Sequence, residues 1–345
     1  MGKDALVILG AGASNDLMDE GQERLSANAA YKPPLTTDIF ATQSSFQDIL
    51  NRYPDASLLA ETVRARPPDK QLESLLRELS ESPHEHLRRQ YKEVPLYLQE
   101  LLGEISQHYM RGRQPPNYAY LVNQLFTSFE RVTFVTLNYD LFLEQVLERP
   151  SLGGPINSLD WYINRHAGNT EWNLIKLHGS VNWGRAILNY AGPKRETRNL
   201  AQIGETDIDQ GLDPEITILP GTGHQTRWIG DVPYYPAMMV PLENKQGFAC
   251  PPSHVEKLEE FLTSCIEVLV IGVSGKDDDL LSLLRATLPQ CIYFFLVDAK
   301  GKFLTDANSR LLRGVPQLQS PIFESFEGFS NFISSQGVEK FGSHR

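Results

Sequence analysis

The chain alternates between two textures. Residues Ala5 to Leu9 (ALVIL) are apolar without a break and run straight into Gly10-Ala11-Gly12. A short apolar run closed by glycines predicts a buried parallel strand leaving its sheet. From about 41 to 112 the apolar positions instead recur at helical spacing, as in Leu72, Leu75, Leu76 and Leu79, then Leu98, Leu101, Leu102 and Ile105. Pro54, Pro67-Pro68 and Pro83 divide this stretch into several helices. It reads as a helical insert at 41–116, between the first and second strands of a single domain spanning 1–345. Strand texture returns at Arg131–Leu137 (RVTFVTL), Trp172–Leu177 (WNLIKL), Glu267–Ile271 and Cys291–Val297 (CIYFFLV). Helices are predicted after Asp140 through Leu147, over 254–265, and from near Asp277, where three consecutive acids suit a helix N-terminus. Residues 151–170 read as loop. The Gly-, Pro- and Thr-rich stretch from about 184 to 253 shows no legible order.

Strands alternating with helices imply an α/β fold, a Rossmann-like doubly wound parallel sheet. Such sheets bind ligands beyond the carboxyl ends of their strands, where the strand order reverses. Every unusual polar cluster here falls at such an end: Gly10–Ser14, Asn138–Asp140, His178–Gly179, Gly272–Lys276 and Asp298. Composition narrows the function. With 345 residues, 41% hydrophobic and 22% charged, the chain is ordinary globular material. A net charge of -11 argues against a general nucleic-acid surface, which needs excess cations to displace counterions. Cys250, Cys265 and Cys291 form no Cys-x-x-Cys pair, which speaks against a four-cysteine zinc site and a disulfide framework. The apolar run near the N-terminus is too short for a signal sequence, and no run approaches 18 apolar residues, so a cytoplasmic protein without a membrane span is expected.

Each motif has a bland reading beside the functional one. Gly10-Ala11-Gly12-Ala13-Ser14 could bring backbone and a hydroxyl to a pyrophosphate, or be a plain strand-to-helix turn; Asn15 stands where the dinucleotide fingerprint has its third glycine. Asn138 and Asp140 both suit a helix cap; in the functional reading Asn138 holds a ribose hydroxyl or a water and Asp140 places its neighbours. His178, with Gly179 behind it at a strand end, is a candidate base, since an imidazole accepts a proton near neutral pH. His84 and His86 are two apart and point to different faces of a predicted helix, and His224 and His254 stand in unreadable surroundings, so no metal is expected.

Taken in order, Gly10-Ala11-Gly12-Ala13-Ser14, Thr136-Leu137-Asn138-Tyr139-Asp140 and Leu177-His178-Gly179-Ser180 resemble the sirtuin family, specifically its bacterial branch found in antiphage-defence proteins. Gly272-Val273-Ser274-Gly275 and the strand ending in Asp298 correspond loosely to the family's adenosine side. The resemblance implies NAD as substrate, held by Gly10, Ala11, Gly12, Ser14, Gly179, Gly272, Ser274 and Asp298. It implies Asn138, His178 and Asp140 as the catalytic set. Pro34–Phe40 falls where the family places a loop over the nicotinamide, without the family's wording, which leaves Asp38 and Phe40 without a carried-over role. The paired cysteines of the zinc module are absent, and Tyr234–Asn244 lacks the segment that lines an acyl-lysine groove. Both departures concern a protein substrate rather than NAD, and point to NAD hydrolysis without zinc. The branch further implies an NAD-depleting defence effector, held in check by homo-oligomer formation or by a separate partner such as a HerA-type ATPase. The other readings are an NAD-dependent protein deacylase, a non-catalytic sensor of NAD or ADP-ribose, and a Rossmann oxidoreductase.

Overall fold

The computed structural model describes residues 3–16, 31–67, 70, 72–111, 115–188, 190, 211–222, 227–240, 247–299 and 301–343. In chain order the first elements are β1 (Asp4–Leu9), α1 (Ala11–Asn15), α2 (Ser44–Leu50), α3 (Pro54–Arg64), α4 (Leu72–Ser80) and α5 (Glu85–Arg111). Then follow α6 (Pro116–Ser128), β2 (Arg131–Thr136), α7 (Phe142–Leu147), β3 (Arg165–Ala167), β4 (Thr170–Lys176) and β5 (Gly179–Ala186). Next come β6 (Thr217–Ile218), β7 (Trp228–Ile229), β8 (Val232–Met238), α8 (Pro252–Leu262) and β9 (Glu267–Ile271). The last are α9 (Asp278–Thr287), β10 (Tyr293–Asp298), α10 (Lys302–Gly314), β11 (Ile322–Glu327), α11 (Phe329–Ser334) and α12 (Gly337–Ser343). They form two compact units, one from Met1–Gly21, Tyr109–His178 and Gln246–Arg345, the other from Gln22–His108 and Gly179–Lys245.

The first unit holds a seven-stranded sheet of order β11-β10-β9-β1-β2-β4-β3. All neighbouring pairs are parallel except β3 on β4. From β1 the chain adds β2 and β4 on one side, then β9, β10 and β11 on the other, so the sheet is doubly wound and its order reverses at β1. The unbroken run Ala5–Leu9 is what that place requires: Leu6 lies between Thr133 and Val268, and all five residues are buried.

At the reversal point the loops after β1 and β9 touch backbone to backbone. Gly10 N donates to Ile271 O at 2.9 Å and Gly12 N to Gly272 O at 3.1 Å. Gly272 has φ +64, and a Cβ on it would lie 2.2 Å from Ala13 N. Glycine is required here by conformation and by space together.

The second unit combines α2 to α5 with a four-stranded antiparallel sheet of order β6-β5-β8-β7. Pro54 opens α3 at its first turn, and Glu93 from α5 accepts the N–H groups of Asp55 and Ala56 at 2.7 and 2.9 Å. The α5 helix runs on through Pro95. Arg227 is buried and donates to Gln99 Oε1 at 2.6 Å, Leu96 O at 2.6 Å and Tyr53 OH at 3.1 Å. The sheet lies in the stretch whose pattern is illegible in sequence. Two of its strands are only two residues long, β5 contains Gly184, and β8 contains Pro233 and Pro236, residues that obscure a strand signature.

Candidate functional site

Because β1, β2 and β4 are neighbours, the residues that follow them emerge side by side. Asn138, two residues past β2, donates its Nδ2 to Gly10 O and to Ser14 Oγ, both at 2.9 Å. Its own N–H is held by Thr136 Oγ1 at 3.0 Å. The side chain is thus fixed between the β1 loop and α1. Asp140 accepts the Ser14 hydroxyl on Oδ2 at 2.7 Å and the Phe142 N–H on Oδ1 at 3.1 Å. Asp140 therefore does serve the start of α7, whereas Asn138 faces the β1 loop.

Ser14 is the hub. Its single proton goes to Asp140, so Tyr118, 2.7 Å away, donates its hydroxyl to Ser14. Together with Asn138 this saturates the oxygen, so Ser14 organises the site from behind rather than offering a free donor to a phosphate. Of the loop's N–H groups, those of Gly10, Gly12 and Ala13 also have acceptors within the chain. Burial pushes the Asp140 carboxyl above its ordinary value, opposed by Lys176, the Ser14 hydroxyl and the Phe142 N–H. Burial likewise lifts the Tyr118 phenol well above the usual range, so it stays a donor at any working pH.

Behind this network lies a buried ion pair. Lys176, the last residue of β4, is fully buried and donates to Glu144 Oε1 at 2.8 Å and to the carbonyl of Asp140. Tyr162 OH also donates to Glu144 Oε1, at 3.2 Å. Burial raises the Glu144 carboxyl, and Lys176 opposes the shift.

His178 follows β4 by two residues and lies 6.3 Å from the Tyr139 ring, centroid to centroid. Its Nε2 is 2.7 Å from Asp277 Oδ2. Asp277 is the N-cap of α9, its Oδ1 accepting the Leu280 N–H at 2.9 Å.

The remaining expected residues are more dispersed. Gly179 opens β5 with φ +84, and a Cβ there would sit 2.0 Å from Ala237 O, so packing within the second unit by itself demands glycine. Ser274 is exposed, and its carbonyl accepts from Arg310 at 2.9 Å. Asp298, at the carboxyl end of β10, accepts the Ala299 N–H at 2.7 Å, and burial raises its carboxyl. Ala11 is half-buried at the start of α1. In the second unit, Asp38 is exposed and Phe40 is buried against Tyr97. His254 is buried with Nε2 2.9 Å from Leu159 O, and burial lowers its basicity. His224 and residues 241–244 of Tyr234–Asn244 lie outside the described residues. The three cysteines are free and buried, and among the described residues no group of His, Cys, Asp and Glu could hold a metal ion. Nor is any described helix long and apolar enough to cross a membrane.

Sequence reasoning missed Lys176, Glu144, Tyr118 and the pairing of Asp277 with His178. Only Lys176 carried a local signal, a lone cation inside WNLIKL, which in a strand buried on both faces needs a buried partner.

No curated protein matches the chain. Among solved structures, a Sir2 homologue in complex with NAD is 12% identical, with 99% of this chain and 91% of that chain covered and a TM-score of 0.41. A structure from work on the mechanism and regulation of Sir2 enzymes is 13% identical, covering 99% and 92%, with a TM-score of 0.38. A mutant Sir2 homologue with 2'-O-acetyl ADP ribose is 12% identical, covering 100% and 95%, with a TM-score of 0.41. Superpositions at these scores are loose, and the fold assignment rests on the strand order and register. The family model that matches is that of the SIR2-like domain, over residues 132–206, about a fifth of the chain. That stretch is similar to a SIR2-like domain, and it holds Asn138, Asp140, Lys176 and His178.

Proposed function

We propose that the chain binds NAD at the carboxyl ends of its central strands and hydrolyses the nicotinamide–ribose bond. The observation that carries this reading is the pairing of Asn138 and His178 at the ends of adjacent strands, within the stretch similar to a SIR2-like domain, with the Asn138 amide fixed by Gly10 and Ser14. In this reading the ADP half lies along Gly10, Ala11, Gly12, Gly272 and Ser274, with Asp298 toward the adenosine ribose. Asn138 orients the nicotinamide ribose and the attacking water. The bond from ribose C1′ to the pyridinium nitrogen breaks, and its electron pair leaves with nicotinamide, which becomes neutral. Water oxygen bonds to C1′, and its proton passes to His178 and on to solvent. The products are nicotinamide, ADP-ribose and one proton. The oxocarbenium character of such a transition state makes positioning and charge placement weigh more than nucleophile strength. Asp140 acts through Ser14 and the start of α7 rather than on the substrate.

Incubation with NAD, alone and with candidate partners, tests the reading by release of nicotinamide and ADP-ribose. His178→Ala is expected to lower the rate about 10²–10⁴-fold, as loss of a general base does, with an unchanged melting temperature. Undiminished NAD loss in that variant refutes it. An acetyl-lysine peptide in the same assay distinguishes deacylation, which alone yields O-acetyl-ADP-ribose. Unrestrained NAD loss is toxic to a cell, so the proposal extends to an antiphage effector whose activity is released by self-assembly or by a partner such as a HerA-type ATPase.

A further inference from the structure

Asp277 divides its carboxylate between two tasks. Oδ1 accepts the Leu280 N–H at 2.9 Å and caps α9, while Oδ2 lies 2.7 Å from His178 Nε2. The cap alone does not call for an acid, because Ser, Thr or Asn would serve as well. The second contact does. A carboxylate only accepts, so Nε2 of His178 must carry hydrogen, and the lone pair of the neutral ring then lies on Nδ1. The partners are also held still. The two side chains are 9% and 14% exposed. The Asp277 carbonyl accepts the Leu281 N–H at 3.0 Å, and Leu280, Leu281 and Leu284 anchor α9 in the core. Asp278, the next acid along, is exposed and has no comparable place.

We infer that Asp277 is the positioning residue that fixes the His178 tautomer, presenting Nδ1 as the base. This rests on the NAD-cleaving reading above, and it adds the group that makes His178 competent for it. A charged partner on one ring nitrogen orients the ring and stabilises the imidazolium that forms when the other nitrogen takes a proton.

Asp277→Asn is the decisive variant. Its Oδ1 still caps α9, but an amide replaces Oδ2, so Nδ2 donates to His178 Nε2 and drives the hydrogen onto Nδ1. The expected result is an unchanged melting temperature and retained NAD binding, with turnover lower by about 10²–10⁴-fold. Asp277→Ser, a competent cap without a charge, should lose turnover while also keeping the fold. Imidazole ¹⁵N shifts give a readout that a structural role would not move: Nε2–H in the parent, Nδ1–H in Asp277→Asn. An active parent with an equally active Asp277→Asn overturns the inference and leaves NAD cleavage standing. A parent showing Nδ1–H overturns it whatever the activity. A parent that cleaves no NAD overturns the functional reading, and the ¹⁵N shifts still decide the pairing.

Discussion

Lys176 has no exposure to solvent, and its ammonium meets the Glu144 carboxylate with Tyr162 bonded to the same oxygen. Removing one member of a buried pair strands the other, and that costs about 3–5 kcal/mol, whereas replacing both by apolar groups is often close to neutral. Lys176→Met should therefore destabilise the protein by that amount in urea unfolding, and Lys176→Met with Glu144→Leu should recover most of the loss. A single variant within about 1 kcal/mol of the parent would show that Glu144 takes up a proton at little cost. Single residues also differ in how they show in the sequence. Asn138 and His178 stand out because each ends an apolar run just where a strand ends, and Asp140 because it follows two residues behind Asn138. Lys176 interrupts its run too, as a lone cation between Ile175 and Leu177, but nothing nearby in sequence names the Glu144 that pairs with it. Tyr118 reaches Ser14 across 104 positions, and no local pattern encodes that distance.

Elements differ in how openly they declare themselves. β1, β9 and β10 are apolar along nearly their whole length and β2 alternates apolar residues with two threonines, because both faces of the parallel sheet are buried, and their bounds follow the pattern within a residue or two. β5 and β8 hide behind their glycines and prolines, and β6 and β7 are only two residues each. The contact between the loops after β1 and β9 is legible only as glycine punctuation, and its strictness can be measured. Gly272→Ala combines a left-handed φ with a Cβ 2.2 Å from Ala13 N. Gly154 has φ +74 with nothing within 4 Å of a Cβ. Gly154→Ala should cost about 1–3 kcal/mol, the strain of the left-handed region alone. Gly272→Ala should cost clearly more, read as the difference between the two urea midpoints; equal losses would mean that the loops part freely.

β9 carries a pH dependence of its own. Burial at the start of this strand raises the Glu267 carboxyl from 4.5 to about 7, with Asp4 adding to the shift and Lys3 opposing it. The fold thus favours the neutral acid, so the contribution is fully present below pH 4.5 and is lost as pH rises through about 7. Glu267→Gln should remove that loss and be the more stable protein at about pH 9, by on the order of 3 kcal/mol, while differing little at about pH 4. Parallel melting curves of the two proteins across this range would refute it.

At the scale of the whole molecule, alternating strands and helices announce a parallel sheet, but the strand order has no local signature. β1, formed by the first residues described, occupies the middle of the seven-stranded order, between β2 and the much later β9. The division into units is similarly non-local: α2 to α4, within Gln22–His108, share a unit with Gly179–Lys245, which lies beyond β2 and β4 in sequence. All chain segments of the second unit precede residue 246, whereas the first unit needs Gln246–Arg345 for three of its seven strands. A fragment of residues 1–245 would leave β1 as an edge, with Leu6 to Leu9 bared on the side that β9 covers. Such pairings of distant segments form late, since the long loops between them must close first. In that fragment, amides of β5 and β8 are expected to stay protected from hydrogen exchange, while those of β1 and β2 exchange freely. Supplying residues 246–345 as a second chain should restore protection to β1. Protected β1 amides in the fragment alone would mean that β1, β2, β4 and β3 are a self-sufficient core, and that the carboxyl-terminal strands are added to a sheet already formed.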